Sequence, residues 1–245
     1  MTITQFNILN SHIGYGNPDA KIVFLGLEEG ANKKTISDNY SYRLISAPSG
    51  VGCLKAFHLG APTPPLGDMS NWFSVPKLQP TWGHLCKLML LRSGKSLSKI
   101  KKLDKIDYQV NFLGRSHSET LLIELLPLPR PNHNYWDGSI MNVHGHFVNK
   151  TQYLCSPLIL DRVKNIRKCL ITRNRNVIVY GKSKHSTIIK YFDLIGDPLL
   201  HITSHPAAAT EEYKLTSKKN IRFFLCPHPV MGMTNANMIA LAGLI

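Results

Sequence analysis

The sequence predicts an α/β protein, with helices on both faces of a central, mostly parallel, four-stranded sheet. Short apolar runs without regular polar alternation occur at 21–26, 120–126, 176–181 and 221–226, a pattern typical of strands buried on both faces. Segments with helical periodicity lie between them. Strands that alternate with helices favour parallel pairing, because each crossover helix packs back onto the sheet. We therefore expect a three-layer α/β/α sandwich.

Helical periodicity marks the connections, and a weaker apolar run at 199–204 predicts one further strand. We find no internal repeat and no break in composition, so we expect one domain over residues 1–245. Residues 31–72, rich in Gly, Pro, Ser and Asn, predict a long irregular excursion, and residues 93–118 a basic connection. The predicted helices are 81–92, 157–170, 183–194 and 234–243.

The charge indicates an anionic partner. The chain has 29 Lys and Arg residues against 15 Asp and Glu, which gives a net charge of +14. A basic excess of this size in a protein without a basic amphipathic helix favours a polyanion, most simply nucleic acid, over a membrane surface. We expect DNA as the partner and a monomeric protein.

The composition also predicts a cytoplasmic protein without a cofactor. No stretch of eighteen apolar residues is present, and the N-terminal residues lack the charged and apolar regions of a signal peptide. The five cysteines are widely spaced and form no CxxC motif, which predicts reduced thiols. Because paired ligand spacing is absent, we expect neither a zinc site nor an iron–sulfur cluster.

Unusual polar residues follow or interrupt three of the predicted strands. The first strand leads into GLEEG at 26–30, the second contains Glu124 within an apolar run, and the last is followed by His228 between two prolines. The carboxyl ends of parallel strands meet at one edge of a sheet, where such folds place their ligands. A buried Glu is unfavourable unless it is paired or functional. We therefore predict a functional site at this edge.

These segments, in this order, resemble the uracil-DNA glycosylase superfamily from about residue 14 to residue 243. GLEEG, after the lead-in GYGNPDAKIVFLG, takes the place of the family's first motif, although Glu29 stands where the family has Pro. The remaining matches are NWFSVPKLQPTWGHLCKLML for the Phe-Ser-Val segment and its helix, LLIELLPLP for the strand that ends Leu-Leu-Leu-Asn, and CPHPVMGMTN for the final His-Pro-Ser motif.

The resemblance implies a monofunctional DNA glycosylase, a hydrolase that flips out a base and leaves an abasic site. Cationic charge develops on the sugar and anionic charge on the base, and each needs a stabilising group. His228 is expected to donate a hydrogen bond to the base O2. Glu28 is expected to face the sugar or position water, with Glu29 as the alternative; an acid that favours a helix N-terminus is the ordinary interpretation of Glu29. Gly26 and Gly30 would let backbone and base approach closely.

The same resemblance supplies the base-binding and DNA-binding candidates. Phe73, in the Phe-Ser-Val segment, is expected to stack on the flipped base; an ordinary core Phe is the alternative. Trp72 and Trp82 flank it. The loop after His228 offers apolar side chains for the gap left by the base, and nearby lysines offer phosphate contacts. These DNA-binding candidates are Val230, Met231, Met233, Lys182 and Lys184.

Two departures from the family pattern predict the substrate. Glu124 replaces the Asn that reads uracil, and an ionised carboxylate accepts a hydrogen bond from the N4 amino group of cytosine but repels uracil O4. Gly30 replaces a Tyr that crowds the base C5, and residues 31–72 would build a larger pocket there. We therefore expect a C5-modified cytosine, such as glucosylated hydroxymethylcytosine of phage DNA, as in the phage-defence members of the superfamily. Uracil excision in base-excision repair is the alternative.

Further alternatives remain at this stage. A second His-Pro pair places His205 in competition with His228 for the final motif. A catalytically silent DNA-binding module on the same fold would need neither Glu28 nor His228. A metal-dependent phosphohydrolase would use histidines in NHN and HGH, although among nearby residues only one acid accompanies them. Its candidate ligands are His133, His144, His146 and Asp137.

Overall fold

The computed structural model describes residues 1–46, 49–62, 64–132, 134–181, 185–193, 200–215, 221–228 and 232–245. In these ranges the chain forms an α/β fold around one mixed sheet of eight strands. The strands are β1 (His12–Gly16), β2 (Ile22–Gly30), β3 (Gly50–Gly52), β4 (Thr120–Arg130), β5 (Asn176–Tyr180), β6 (Leu200–His205), β7 (Thr210–Leu215) and β8 (Ile221–Cys226).

Helices connect the strands and cover the sheet. The predicted helices at 81–92, 157–170, 183–194 and 234–243 are confirmed as α5, α9, α10 and α11 within two residues at each end. The helices are α1 (Ile3–Ser11), α2 (Ile36–Ser46), α3 (Leu54–Leu59), α4 (Gly67–Ser70), α5 (Pro80–Arg92), α6 (Lys102–Asn111), α7 (Gly138–Met141), α8 (Lys150–Cys155), α9 (Pro157–Leu170), α10 (His185–Phe192) and α11 (Asn235–Ala242).

The sheet is larger than the predicted four strands, and it is mixed. Its order is β3-β1-β4-β2-β5-β8-β7-β6. The four strands predicted from apolar runs form its centre, and β4, β2, β5 and β8 all pair in parallel. Antiparallel pairing adds β1 beside β4 at one side, and β7 and β6 beside β8 at the other. The strand predicted at 199–204 from a weaker apolar run is confirmed as β6, whereas β1, β3 and β7 lack the continuous apolar runs that identified the centre.

Two central strands are longer than predicted. The first continues past Gly26 to Gly30, and its pairing with β4 is irregular between Glu28 and Gly30. The second continues through two prolines to Arg130. Glu124 therefore lies inside a strand and pairs in register with Gly26, rather than at a strand end.

The segments predicted as irregular contain regular structure. Residues 31–72 form α2, α3, α4 and the short strand β3, and residues 93–118 contain α6. Gly, Pro, Ser and Asn concealed the helices of the first segment, and basic residues concealed α6; length is not the reason, since α2 and α6 have 11 and 10 residues. The extra helices lie around the predicted site and determine its walls.

The core lies on both faces of the sheet. One face packs under α5, and the other under α9 and α10. A third apolar cluster lies around the carboxyl half of β4 and includes Phe6, Phe147 and Tyr153. No helix within the described ranges is long and apolar enough to cross a membrane.

Candidate active site at the carboxyl edge of the parallel strands

Glu124 and Tyr180 meet above a glycine on the central strand of the parallel core. The Tyr180 hydroxyl donates a hydrogen bond to Glu124 Oε1 over 3.2 Å. Gly26 lies between them, because β2 pairs with β4 on one side and with β5 on the other. A Cβ at Gly26 would lie 2.2 Å from Glu124 Oε2 and 2.6 Å from the Tyr180 hydroxyl oxygen. The close approach of the two side chains therefore requires glycine at this position.

His228 extends this row of side chains to the fourth parallel strand. Tyr180 pairs in register with Cys226, two residues before His228. The rings of Tyr180 and His228 lie edge to face, with centroids 6.0 Å apart. Burial lowers the pKa of His228 below its ordinary value, so its imidazole is neutral near pH 7. A neutral imidazole can still donate one hydrogen bond to an acceptor.

The Tyr180 hydroxyl stays protonated. Burial raises its pKa well above the ordinary value, and the negative charge of Glu124 raises it further. Tyr180 therefore donates the hydrogen bond to Glu124 Oε1. This bond fixes the orientation of the Glu124 carboxyl group.

Glu29 forms a second carboxylate at this edge, and a buried arginine holds it. Arg43 Nη2 lies 2.8 Å from Glu29 Oε1, with the arginine side chain 5% exposed and the glutamate side chain 22% exposed. Arg43 also donates hydrogen bonds to Asn39 Oδ1 at 2.7 Å and to the Tyr15 hydroxyl at 3.3 Å. Burial alone would raise the pKa of Glu29, but the charges of Arg43, His58 and His12 and the hydrogen bond from Arg43 together outweigh burial and lower that pKa, so the carboxylate is ionised at neutral pH.

The irregular end of β2 directs Glu29 toward Glu124. Both carboxylates line a cavity of about 40 Å³. Regular alternation would place Gly26 and Glu29 on opposite faces of the sheet. The irregular pairing before Gly30 changes this, as bulges near functional sites commonly do. Two carboxylates from neighbouring strands therefore face the same region.

Glu29 also borders a larger cavity of about 300 Å³. Eight of its twelve lining residues come from residues 31–72. No atom lies within 4 Å of a Cβ placed at Gly30, which leaves this side of the cavity open. The lining is rich in amide and hydroxyl groups and has one large aromatic ring. The residues are Glu29, Gly30, Ala31, Asn32, Thr35, Asn39, His58, Leu66, Met69, Trp72, Gln79 and Pro131.

Phe73, the predicted stacking residue, lies behind the cavity rather than on its wall. It is 5% exposed and packs with its ring centroid 5.6 Å from that of His58 and 5.9 Å from that of Trp82. Its neighbour Trp72 lines the large cavity, and Trp82 lines the small one. The two tryptophans therefore line the cavities that the carboxylates border, and Phe73 contacts Trp82 from the core.

Several predicted site residues lie outside what the structure describes. The backbone of Glu28 belongs to β2, but its side chain is outside the described part. Met233 is described, and it packs partly buried against the core under α5 and α11. The other DNA-binding candidates, which lie outside the described residues, are Lys182, Lys184, Val230 and Met231.

The alternative histidine, His205, occupies the same edge but a different environment. It ends β6, two strands away from β8 in the sheet. Its Nε2 lies 2.8 Å from Glu212 Oε2, and Glu212 Oε1 also accepts a hydrogen bond from Arg222 Nε at 2.5 Å. His205 is therefore part of a closed ion-pair network, whereas His228 adjoins Tyr180.

The histidines of the metal alternative lie elsewhere. His144 and His146 border a depression beside Cys155, and none of the residues that line it lines either cavity of the carboxylates. His133 lies outside the described residues. Within the described part of the chain, no three His, Cys, Asp or Glu side chains are grouped so that they could hold a metal ion.

Sequence reasoning missed the residues that hold the carboxylates. Arg43 belongs to a segment with no recognisable motif, Tyr15 lies in the lead-in GYGNPDAKIVFLG but carries no predicted role, and Tyr180 is predicted only as the end of a strand. His58 borders the large cavity, and its Nδ1 lies 3.1 Å from the Met69 carbonyl oxygen. One signal was available: a Tyr at the carboxyl end of an apolar parallel strand lies at the edge where ligands bind.

Comparison of the chain with protein-family models, with curated proteins and with solved structures finds no match. The chemistry of the site therefore has to be inferred from its own side chains.

Proposed function

We propose that the chain is a DNA glycosylase of the uracil-DNA glycosylase superfamily. The observation that carries this proposal is the row formed by Glu124, Tyr180 and His228 across the parallel strands, with Glu29 and two cavities beside it. The four parallel strands at the centre of the sheet support the predicted three-layer fold. The net charge of +14 supports DNA as the substrate.

The proposed chemistry separates charge along this row. As the glycosidic bond breaks, the sugar becomes cationic and the base anionic. Neutral His228 donates a hydrogen bond to the anionic base, and a carboxylate from GLEEG stabilises the sugar or positions water. Glu29 supports this role, because Arg43 keeps it ionised and it borders both cavities. Glu28 remains the second candidate for the same role.

The proposed substrate is a cytosine with a large C5 substituent. Glu124 accepts a hydrogen bond from the base N4 amino group, and the Tyr180 hydroxyl keeps the carboxyl group in place. The cavity beside Gly30 accommodates the substituent. Its amides, hydroxyl and Trp72 are typical of sites that bind sugar hydroxyls and stack on a sugar face. Glucosylated hydroxymethylcytosine of phage DNA fits this chemistry, which would make the protein an anti-phage enzyme.

The decisive experiment incubates the protein with matched oligonucleotides and then cleaves abasic sites with alkali. The panel contains glucosylated hydroxymethylcytosine, hydroxymethylcytosine, cytosine and uracil at one position. We expect cleavage of the glucosylated substrate and none of plain cytosine. Glu124→Asn should reduce the rate on the modified base, because an amide places a donor and an acceptor where the site needs only acceptors.

The other outcomes are equally informative. Release of uracil alone, unaffected by Glu124→Asn, would assign the protein to base-excision repair. Binding of DNA without release of any base would assign a silent binding module. Activity that a chelator abolishes and a divalent metal restores would contradict the proposed mechanism.

A further inference from the structure

A cluster of basic side chains from two helices lies next to His228. His84 and Lys87 lie one turn apart on α5, and Lys105 lies on α6, which packs against α5. All three side chains are half-buried. The Lys87 ammonium donates a hydrogen bond to Asn235 Oδ1 in the first turn of α11. The cluster therefore joins three helices at the edge of the candidate active site.

The electrostatic interactions within the cluster are unfavourable. Burial lowers the pKa of His84, and the positive charges of Lys87 and Lys105 lower it further, as does His228 when it is protonated. Burial, followed by the charge of Lys105, also lowers the pKa of Lys87. In the described part of the chain, no carboxylate forms an ion pair with His84, Lys87 or Lys105. Half-buried cations without a counter-ion are stabilised when an anion binds between them.

We propose that His84, Lys87 and Lys105 bind one phosphate group of a DNA strand next to the flipped nucleotide. This inference rests on the proposed function, because it assigns the phosphate to the strand that presents its base to Tyr180 and His228. Lys87 contacts Asn235, the first residue of α11, so the positive end of that helix dipole lies beside the cluster. The cluster thus anchors the backbone while the carboxylates act on the nucleoside.

Phosphate binding at this position is linked to a proton. The groups that face His84 are Lys87 on its own helix, Lys105 on α6 and His228 after β8; the two lysines, and His228 when it is protonated, disfavour the imidazolium. A bound phosphate offsets their repulsion and raises the pKa of His84, so the histidine takes up a proton when DNA binds. DNA affinity should therefore increase as the pH falls from about 8 to about 6.

The test measures binding of a fluorescent oligonucleotide by anisotropy across a range of salt concentrations. We compare the wild type with Lys87→Gln, Lys105→Gln and the charge-matched control Lys168→Gln on α9, which packs on the opposite face of the sheet. Each cluster variant should lower the slope of log affinity against log salt by about one unit. Affinity at low salt should fall about tenfold in each, and the control should change neither quantity.

The outcomes separate this inference from the proposed function. Unchanged salt slopes in both cluster variants would overturn the phosphate site, whether or not the protein releases a base. If the wild type shows the expected salt slope and both cluster variants lower it, but the protein releases no base, only the glycosylase activity is overturned. Inorganic phosphate could instead stabilise the wild type against heat and fail to stabilise either cluster variant, while both variants bind the oligonucleotide normally. That result would show that the cluster binds free phosphate, and it would overturn the proposal that it binds a phosphate of the DNA strand.

His84→Gln tests the linked proton without removing a lysine. The wild type should bind the oligonucleotide more tightly at about pH 6 than at about pH 8, and the variant should lose most of that increase. An identical pH dependence in both proteins would exclude His84 from the site.

Discussion

Two regions at the same edge of the sheet contain the same three residue types in different arrangements. At the end of the antiparallel extension, His205, Glu212 and Arg222 bond to one another. At the end of the parallel strands, Arg43 binds Glu29, while His228 lies on another strand beside Tyr180. The histidine, the glutamate and the arginine therefore contact one another in the first region, whereas in the second Glu29 and Arg43 pair with each other and both border the small cavity.

The different surroundings of His205 and His228 show that a His-Pro sequence alone does not identify a functional histidine. Both histidines follow an apolar run, and both precede proline. Glu212 is available to His205 because β7 pairs antiparallel with β6 and carries the carboxylate back alongside it. No sequence pattern near His228 predicts its contact with Tyr180, because Tyr180 belongs to a parallel strand that is distant in the chain.

The largest effect should come from the two histidines. His228→Ala should slow base release by roughly 10²–10³, because it removes the hydrogen bond to the developing anion. His205→Ala should leave the rate within a few-fold. Single-turnover kinetics on the modified oligonucleotide measures both. A damaging His205→Ala beside a harmless His228→Ala would reverse the assignment of the two regions.

The next largest effect should come from Gly26→Ala. The added methyl group overlaps Glu124 Oε2 and the Tyr180 hydroxyl, so it separates the pair and displaces the base-reading carboxylate. A displacement of about 1 Å in such a site reduces the rate by roughly 10². Gly243→Ala is the matched control, because a Cβ there comes no closer than 3.5 Å to a neighbouring atom and Gly243 lines neither cavity. Equal rates in the two variants would show that the Glu124–Tyr180 contact is dispensable.

A third comparison sets the two arginine–glutamate pairs against each other. Arg43→Met should lower the free energy of unfolding at pH 7 by about 2 kcal/mol, since it leaves the mostly buried Glu29 carboxylate unpaired. Arg222→Met should cost about 1 kcal/mol or less, because Arg222 is more exposed and His205 still contacts Glu212. Urea denaturation measures both values.

The Arg43 effect should depend on pH with a defined sign. The pKa of Glu29 is lower in the folded protein than its ordinary value of 4.5. Its contribution to stability is therefore complete above that value, and is lost as the pH falls through the lowered pKa. The difference between wild type and Arg43→Met should shrink over that acidic range. A stability difference that stays constant with pH would mean that Arg43 does not stabilise the protein through Glu29.

The smallest expected change is that of the rate of base release with pH near neutrality. The pKa of His228 is lowered from its ordinary value of 6.5, and that of Glu29 is lowered too. Neutral His228 and ionised Glu29 therefore persist together from about pH 8 to about pH 6.5. Base release at saturating DNA should be nearly constant over this interval. A rate that rises steadily with acidity would indicate that protonated His228 is the active form.

The sequence by itself determined the central strands and the main helices of this protein. The strands β2, β4, β5 and β8 are buried on both faces, so their apolar composition identifies them without knowledge of their neighbours. The connecting helices have enough residues to develop an apolar face. The placement of Gly26 and Glu124 on neighbouring strands also follows from that pattern, once parallel pairing is assumed.

Only the tertiary structure decided which side chains meet at the edge. The outer strands β1, β3 and β7 lack continuous apolar runs, and the helices of residues 31–72 lie among turn-forming residues; pairing and packing rather than local preference stabilise both groups. The pairing of Glu29 with Arg43 depends on an irregular register at the end of β2. The different surroundings of His228 and His205 depend on strand direction. Each of these contacts joins residues far apart in the chain, and their strength is set by burial, which local sequence does not encode.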